Sequence, residues 1–443
     1  MTEQHPDTVD VIVIGAGPGG STAAARLAQL GRSVLMLERR KLPRFHIGES
    51  MLPGMNAVAE KLGVMDILKQ QGFPDKLGAE FAKAGSEKHG RVPFTAQGTG
   101  RHHQTFQVER AHFDKTLADF AVQSGATLLQ EATVLELLQE DGRVVGVRYE
   151  QDGTSYDVRA RYVLDAGGRA SKVSQSLGLR KYIDRMRMVA VFRHFKGIDE
   201  KYNPGQPGDI QIGGHKDGWI WAIPIWADTI SVGAVMPRDL LRSGEPEALF
   251  QEHVERIGRI DRRLTGAHPI SDVHVETDYC YYSDTIAGPG WFMAGDAACF
   301  FDPIFSGGVF LAMATGITAA ETIDKVINEP ERTEELQDWY SRFYKTGYDG
   351  YARIIYAYYE HGYNIRPYMT SIGWDQGRGE WTLNKWVVRL LSGDFWSENN
   401  ELHQIMLKQS QWDTFAPFEP VWGCPFYGHV KEDEDEPAAV SAA

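Results

Sequence analysis

The sequence predicts an α/β (α+β) chain in three parts: a discontinuous parallel-sheet domain of the Rossmann type, an inserted β-rich domain and a C-terminal helical region. Three observations carry this. The apolar run 11–14 leads through Gly15-Ala16-Gly17-Pro18-Gly19-Gly20 into a helical stretch, 21–30, and a second apolar run, 34–37, that closes on Glu38. Strand signals crowd residues 186–285. A second glycine-and-acid segment, Gly295-Asp296 followed by 302–308, lies far downstream of the first, so the domain that uses both must be interrupted. The expected boundaries are 1–185 with 286–330 for the nucleotide-binding domain and 186–285 for the β-rich domain, to which 72–107 contributes. A helical region follows at 331–430, then a disordered acidic tail at 431–443.

The first segment reads as strand, glycine turn, helix, strand, acid. Gly15 permits the tight turn, Gly17 lets the backbone approach a pyrophosphate, and Gly20 lets the helix pack on the strand. Pro18 and Ser21 sit in the first helical turn, whose free N–H groups and positive dipole end favour phosphate. Glu38 follows Gly20 by 18 residues, where a carboxylate can take both ribose hydroxyls, and Arg39 beside it is a further candidate contact. A glycine-rich loop of some other α/β protein is the plain alternative. The strand before, the helix after and the acid at this distance favour a dinucleotide.

The 443 residues allow a large core, and 42% hydrophobic with 24% charged residues is ordinary globular composition. A net charge of −14 argues against nucleic acid or an anionic membrane as main partner. Cys280, Cys299 and Cys424 are far apart with no metal or redox spacing, as expected in a reducing cytoplasm. No apolar stretch is long enough to span a bilayer.

Taken in order, the loop 41–53 carries Arg44, His46, Glu49 and Ser50 directly after the ribose strand, placed to touch the cofactor or to be a solvated connection. Residues 56–71 read as one helix, with Val58, Leu62, Val64 and Ile67 apolar. Lys76 lies on a non-helical segment bracketed by Pro and Gly and by itself reads as a surface lysine. The stretch 106–120 gives a strand and a helix with Arg110 between them, in reach of a phosphate. Residues 126–150 form an antiparallel unit turned at Glu140-Asp141-Gly142, and 159–168 is a strand that can return to the nucleotide sheet.

In the β-rich part, Trp219-Ile220-Trp221-Ala222-Ile223-Pro224 puts two indoles on one strand face, with Pro224 expected to stop the strand. Core packing is the plain reading. Asp296 can bind a ribityl hydroxyl, and the turn Ser306-Gly307-Gly308 before a helix at 310–327 offers free N–H groups to a small anion or a flavin oxygen. The aromatic residues of 334–410 are too many for a solvated face. They divide between core packing and an aromatic pocket.

These residues resemble a known family. Gly15-x-Gly17-x-x-Gly20, Glu38, Arg110 and Gly295-Asp296 are similar to FAD-dependent monooxygenases of the para-hydroxybenzoate hydroxylase type. Within that group the segment 219–224 matches the WxWxIP motif of flavin-dependent halogenases, and Gly48-Glu49-Ser50 and Asp302-Pro303-Ile304-Phe305-Ser306-Gly307-Gly308 match further signatures. The segment 73–79 looks like the one carrying the family's essential lysine, here Lys76, especially in pyrrole and phenol halogenases. The resemblance implies FAD, used as FADH2, with O2 and chloride or bromide giving hypohalous acid. The halide would lie at Ser306, Gly307 and Gly308. Pro303, Gly307 and Gly308 would flank the flavin, and Trp219, Trp221, Ile223 and Pro224 would separate flavin from substrate. Lys76 would hold the oxidant, by hydrogen bond or as a chloramine, for an electron-rich aromatic, free or carrier-bound. The chain has no second glycine fingerprint for a nicotinamide nucleotide, so a separate flavin reductase is the expected source of FADH2. A flavin hydroxylase or dehydrogenase without halide use, and a geranylgeranyl-reductase-type flavoprotein, remain open at this point.

Overall fold

The computed structural model describes residues 5–86, 89–94, 103–183, 186–198, 207–277, 280–363, 366–371, 385–398, 400–408, 417–423 and 426. The acidic tail and Cys424 lie outside the described residues.

Two large sheets organise the chain. In the first, Thr8–Ile14 is flanked by Val34–Glu38 and Thr154–Asp165, all parallel. Thr127–Gln130 extends one side and Trp291–Met293 the other, so residues more than a hundred positions apart share one parallel sheet. Its central strands are buried on both faces, which is why 11–14 and 34–37 read as unbroken apolar runs. The antiparallel hairpin Thr133–Glu140/Arg143–Gln151 turns at Asp141 and Gly142, both with positive φ, and joins Thr154–Asp165.

The second sheet runs, in spatial order, His268–Pro269, Met188–Lys196, Thr229–Pro237, Gly218–Trp226, Ile210–His215, Gly78–Lys83 and His89–Pro93. Gly78–Lys83 pairs in parallel with Ile210–His215. Successive side chains on a strand face opposite ways, and here the two faces supply two separate cores. Trp219, Trp221, Ile223, Met188, Ala190 and Phe192 belong to the core shared with the nucleotide sheet. Ile220, Ala222, Val189 and Val191 pack instead with Leu249, Phe250 and Val254 of the helix Pro246–Glu255.

Several elements differ from expectation. The stretch 56–71 is two helices, Pro53–Leu62 and Met65–Lys69, because Gly63 ends the first in the left-handed conformation (φ +88°). Pro224 does not end its strand. The strand runs on to Trp226, with a register shift between Pro224 and Trp226 that accommodates the missing N–H. The strand expected at 106–120 is only Thr105–Phe106, followed by the helix Arg110–Gln123.

Two helices bring the cofactor segments together. Pro18–Gln29 packs on Gly308–Asn328 through Gly19 and Gly316, where a Cβ on Gly316 would lie 2.5 Å from the Gly19 carbonyl oxygen. Arg26–Glu321 (2.9 Å) and Arg32–Asp324 (2.6 Å) pair along the same contact. The 28-residue helix Thr333–Glu360 lies against this assembly. Among the described residues no helix is long and apolar enough to cross a membrane.

Gly316→Ala is expected to force these helices apart. Overpacking of this kind costs about 1–3 kcal/mol. A lower urea midpoint, together with weaker flavin binding because Gly19 moves with its helix, is the expected result.

Candidate active site

The glycine turn is built as its spacing requires. Gly15 has φ +92°, and a Cβ on Gly20 would lie 2.0 Å from the Gly15 carbonyl oxygen. Glu38 is buried, and its carboxylate accepts from the Ala16 N–H (2.9 Å) and the Arg40 N–H (3.0 Å), so the acid also fixes the turn. Ser21 faces inward, its hydroxyl donating to the Ala16 carbonyl (3.1 Å). It supports the turn. Arg39 is exposed at the strand end.

Arg110 is placed differently from its expected reach to a phosphate. Its guanidinium is held by Asp114 (2.8 and 3.1 Å) and by the Ile47 carbonyl (2.6 Å). A buried guanidinium is stable only when paired, and Asp114, four residues on, is its natural partner. Arg44 lies nearer the turn, 3.6 Å from where a Gly17 Cβ would be, and also reaches Glu38 (3.6 Å) and Asp114 (3.0 Å).

The downstream segment is gripped by one helix. Along Thr333–Glu360 the Tyr340 hydroxyl donates to the Met293 carbonyl (2.7 Å) and that of Tyr344 to the Gly295 carbonyl (2.6 Å). Tyr344 also accepts from the Cys299 N–H (3.0 Å). Tyr351 accepts from the Gly307 N–H (3.1 Å) and lies 3.3 Å from the Asp302 carbonyl. Tyr359 donates to Asp302 Oδ2 (2.7 Å) and accepts from Trp219 Nε1–H (3.0 Å). Asp302 thereby joins the flavin-side turn to the tryptophan strand. Its other oxygen caps Ile304 (3.1 Å), in the short turn that Pro303 opens.

The turn expected to present free N–H groups is partly satisfied. Ser306 N–H bonds Pro303 (2.9 Å), and Gly307 N–H is taken by Tyr351. An anion at Gly307 has to share or displace the Tyr351 hydroxyl. Gly308 faces open space. The indoles of Trp219 and Trp221 lie 5.7 Å apart, and Trp221 Nε1–H donates to Ser231 (3.1 Å). Ile223 is buried on the same face, with Pro224 one residue on.

Lys76 is not a surface lysine. It is 1% exposed. Its strand Asp75–Lys76 pairs with Thr105–Phe106, and Ser50 bridges to Gln107 next along the same chain. The Lys76 side chain reaches the far edge of this small sheet, where Nζ donates to the Met51 carbonyl (2.8 Å). Burial lowers its pKa to about 7, against the raising influence of Asp209. Glu49 is buried with Oε1 2.7 Å from His194 Nε2. Burial opposes the imidazolium, but the hydrogen bond and charge of Glu49 outweigh it and raise the His194 pKa.

Sequence reasoning missed Met51, Asp209, Gln107, Tyr351 and Tyr359 around these groups. The tyrosine repeat at 340, 344, 348 and 351 carried the signal for the gripping helix. Nothing local marks Gln107 or Asp209.

Residues 8–344 match the FAD-binding-domain family, which makes the chain a flavoprotein. A 1H-pyrrole-2-carbonyl-(peptidyl-carrier protein) brominase of Pseudoalteromonas luteoviolacea is 34% identical over 340 residues, covering 76% of this chain and 80% of the relative. A tryptophan 2-halogenase of Chondromyces crocatus is 32% identical over 365 residues, covering 81% and 69%. The solved myxobacterial chondrochloren halogenase CndH superposes with a TM-score of 0.77 at 28% identity, covering 92% of this chain and 99% of that one. The chain belongs to the flavin-dependent halogenases, oxidoreductases that use FAD.

The residues fit that cofactor. The glycine turn and the start of Pro18–Gln29 suit a diphosphate, and Glu38 at the end of the second strand would suit a ribose. Asp296 Oδ1 is buried with no hydrogen-bond partner among the described residues, and burial raises its carboxyl to about 7. A ribityl hydroxyl would satisfy it.

Glu38→Ala is expected to weaken FAD binding about tenfold or more, since a hydrogen bond to a charged group is worth roughly 1.5–3 kcal/mol; flavin fluorescence titration reads this. Lys76→Met tests the buried amine through stability. The folded pKa lies below the unfolded one, so the unfolded chain binds the extra proton between about pH 7 and 10.5 and the lysine makes stability rise with pH across that window. The stability of the variant relative to the parent should therefore be greatest below pH 7 and shrink toward pH 10, as read by unfolding midpoints.

Proposed function

We propose that this chain is an FADH2-dependent halogenase in which Lys76 directs a hypohalous oxidant to an electron-rich aromatic ring. One observation carries the lysine's part: an amine 1% exposed, with a pKa near 7 and one hydrogen bond among the described residues. Such a group is about half neutral near pH 7, and its neutral fraction is nucleophilic without an added base. The pyrrole brominase named above supports a phenol- or pyrrole-type substrate, free or carrier-bound.

When bound, reduced flavin supplies activation of O2 for oxidation of chloride or bromide. The chain's own groups do the rest. Gly308, with Ser306 and Gly307 beside it, borders the halide position, and the Tyr351 hydroxyl lies within its reach. Trp219, Trp221, Ile223 and Pro224 form a wall, stiffened by Tyr359 and Ser231, that keeps an aromatic ring from the flavin. Lys76 receives the oxidant on the far side of the wall. Pairing within the two sheets supports an FAD-binding domain at 1–185 and 286–330 and a substrate domain at 186–285, with 72–107 contributing. FADH2 comes from a separate reductase.

The test supplies FAD, a flavin reductase, NADH and either halide with phenols, pyrroles and indoles, and looks for halogen isotope patterns by mass spectrometry. No halogenated product despite flavin turnover overturns the reading. Lys76→Ala should bind and oxidise flavin normally yet lose product by a hundredfold or more, on the order of a lost nucleophile; unchanged product removes the lysine. For the amine form, product formation should rise with pH through about 7 as Lys76 deprotonates and then level off. A fall over that range would instead assign an ammonium donor.

A further inference from the structure

Lys76 and two buried side chains of the same small sheet have unused hydrogen-bonding capacity. Gln107 is 0% exposed, and its amide N–H donates to the Gly208 carbonyl (2.9 Å), which leaves Oε1 without a partner among the described residues. Ser50 is 6% exposed, and its Oγ is likewise buried and unpartnered. Lys76 uses one of its hydrogens, on Met51.

The register brings them together. Lys76 pairs with Thr105, and Ser50 with Gln107. Paired residues share a face, as do residues two apart on an extended strand, so Lys76, Thr105, Gln107 and Ser50 lie on one side of the small sheet. The bond to Met51 shows that Lys76 crosses this face to end beside Ser50. Thr105 is already spent on Asn56 (3.2 Å). Buried polar atoms are usually hydrogen-bonded, and Gln107 Oε1 and Ser50 Oγ, on the same face as the reactive amine, can each take a partner.

We infer that Gln107 Oε1 and Ser50 Oγ hold hypohalous acid against the Lys76 amine. This rests on the lysine reading above and adds the groups that orient the oxidant. A small neutral molecule carrying one O–H can satisfy both atoms, donating to Gln107 Oε1 and accepting from Ser50 Oγ–H. Gln107 Oε1 accepts the O–H of HO–X and turns its halogen toward Nζ. The neutral amine's lone pair forms the N–X bond as the O–X bond breaks, and the departing hydroxide takes a proton from the nitrogen and leaves as water. Ser50 Oγ–H donates to that oxygen as negative charge develops on it. The halogen leaves later to the ring, whose displaced proton restores the amine. Gln107 and Ser50 thus touch the reacting oxidant, and both would decide whether it is captured or escapes.

The experiment uses the holoenzyme with flavin reductase, NADH, bromide, an aromatic acceptor and 2-chlorodimedone as scavenger of free hypohalous acid. Gln107→Leu should lower ring halogenation roughly tenfold, the loss of one buried hydrogen bond, and raise scavenger halogenation in step, at every acceptor concentration. Flavin affinity and NADH consumption should not change. Ser50→Ala should raise the scavenger share a few-fold. If Gln107→Leu fails to fold, Ser50→Ala decides: an unchanged scavenger share overturns the proposal. A defect in Gln107→Leu that disappears at high acceptor concentration also overturns it, because Gln107 then binds the ring. Lys76→Ala that still halogenates the ring overturns the lysine reading and this one with it. Lys76→Ala inactive beside Gln107→Leu with parental partition overturns this one alone.

Discussion

The strand Gly218–Trp226 is buried along nearly its whole length on both faces, and the molecule depends on how its residues divide. Strand geometry allows no intermediate direction. Each side chain joins either the core shared with the nucleotide sheet or the core under Pro246–Glu255. A one-residue slip would exchange the indoles for Ile220 and Ala222 and remove the wall. Trp219 is fixed further by Tyr359, and Tyr359 by Asp302, so the wall and the flavin-side turn share one set of hydrogen bonds. The placement of the two indoles is therefore a property of the sheet's register as much as of any single residue.

The nucleotide-binding half was legible because its signals are local. Gly15, Gly20 and Glu38 act within one strand–turn–helix–strand unit, and spacing implies the tight turn and the close helix packing that are seen. The same holds for Asp141-Gly142, whose positive φ values close a hairpin. The two-faced character of 219–223 follows from alternation.

What escaped the sequence is set by distant contacts. Lys76 carries no local mark of burial; it is dry because Ser50–Met51, Thr105–Gln107 and Asp209 close around it from three separate stretches. Arg110 is paired with Asp114, four residues on along the same helix, a contact the sequence motif does not mark. Pro224 failed as a strand stop because a register shift absorbs its missing N–H. The Gly307 N–H looked free because the hydroxyl that takes it stands 44 residues away.

The tyrosine row of Thr333–Glu360 holds the segment from Met293 to Gly307 largely by its backbone, at the carbonyls of Met293 and Gly295 and the N–H groups of Cys299 and Gly307. Backbone atoms are the same whatever the residue. Side chains in that segment other than Gly295, Asp302 and Gly307 can therefore be exchanged without loosening its path, provided the hydroxyls stay. Such a loop is an interchangeable fitting on a fixed mount: its chemistry toward cofactor, halide or ring can drift while its position is inherited unchanged.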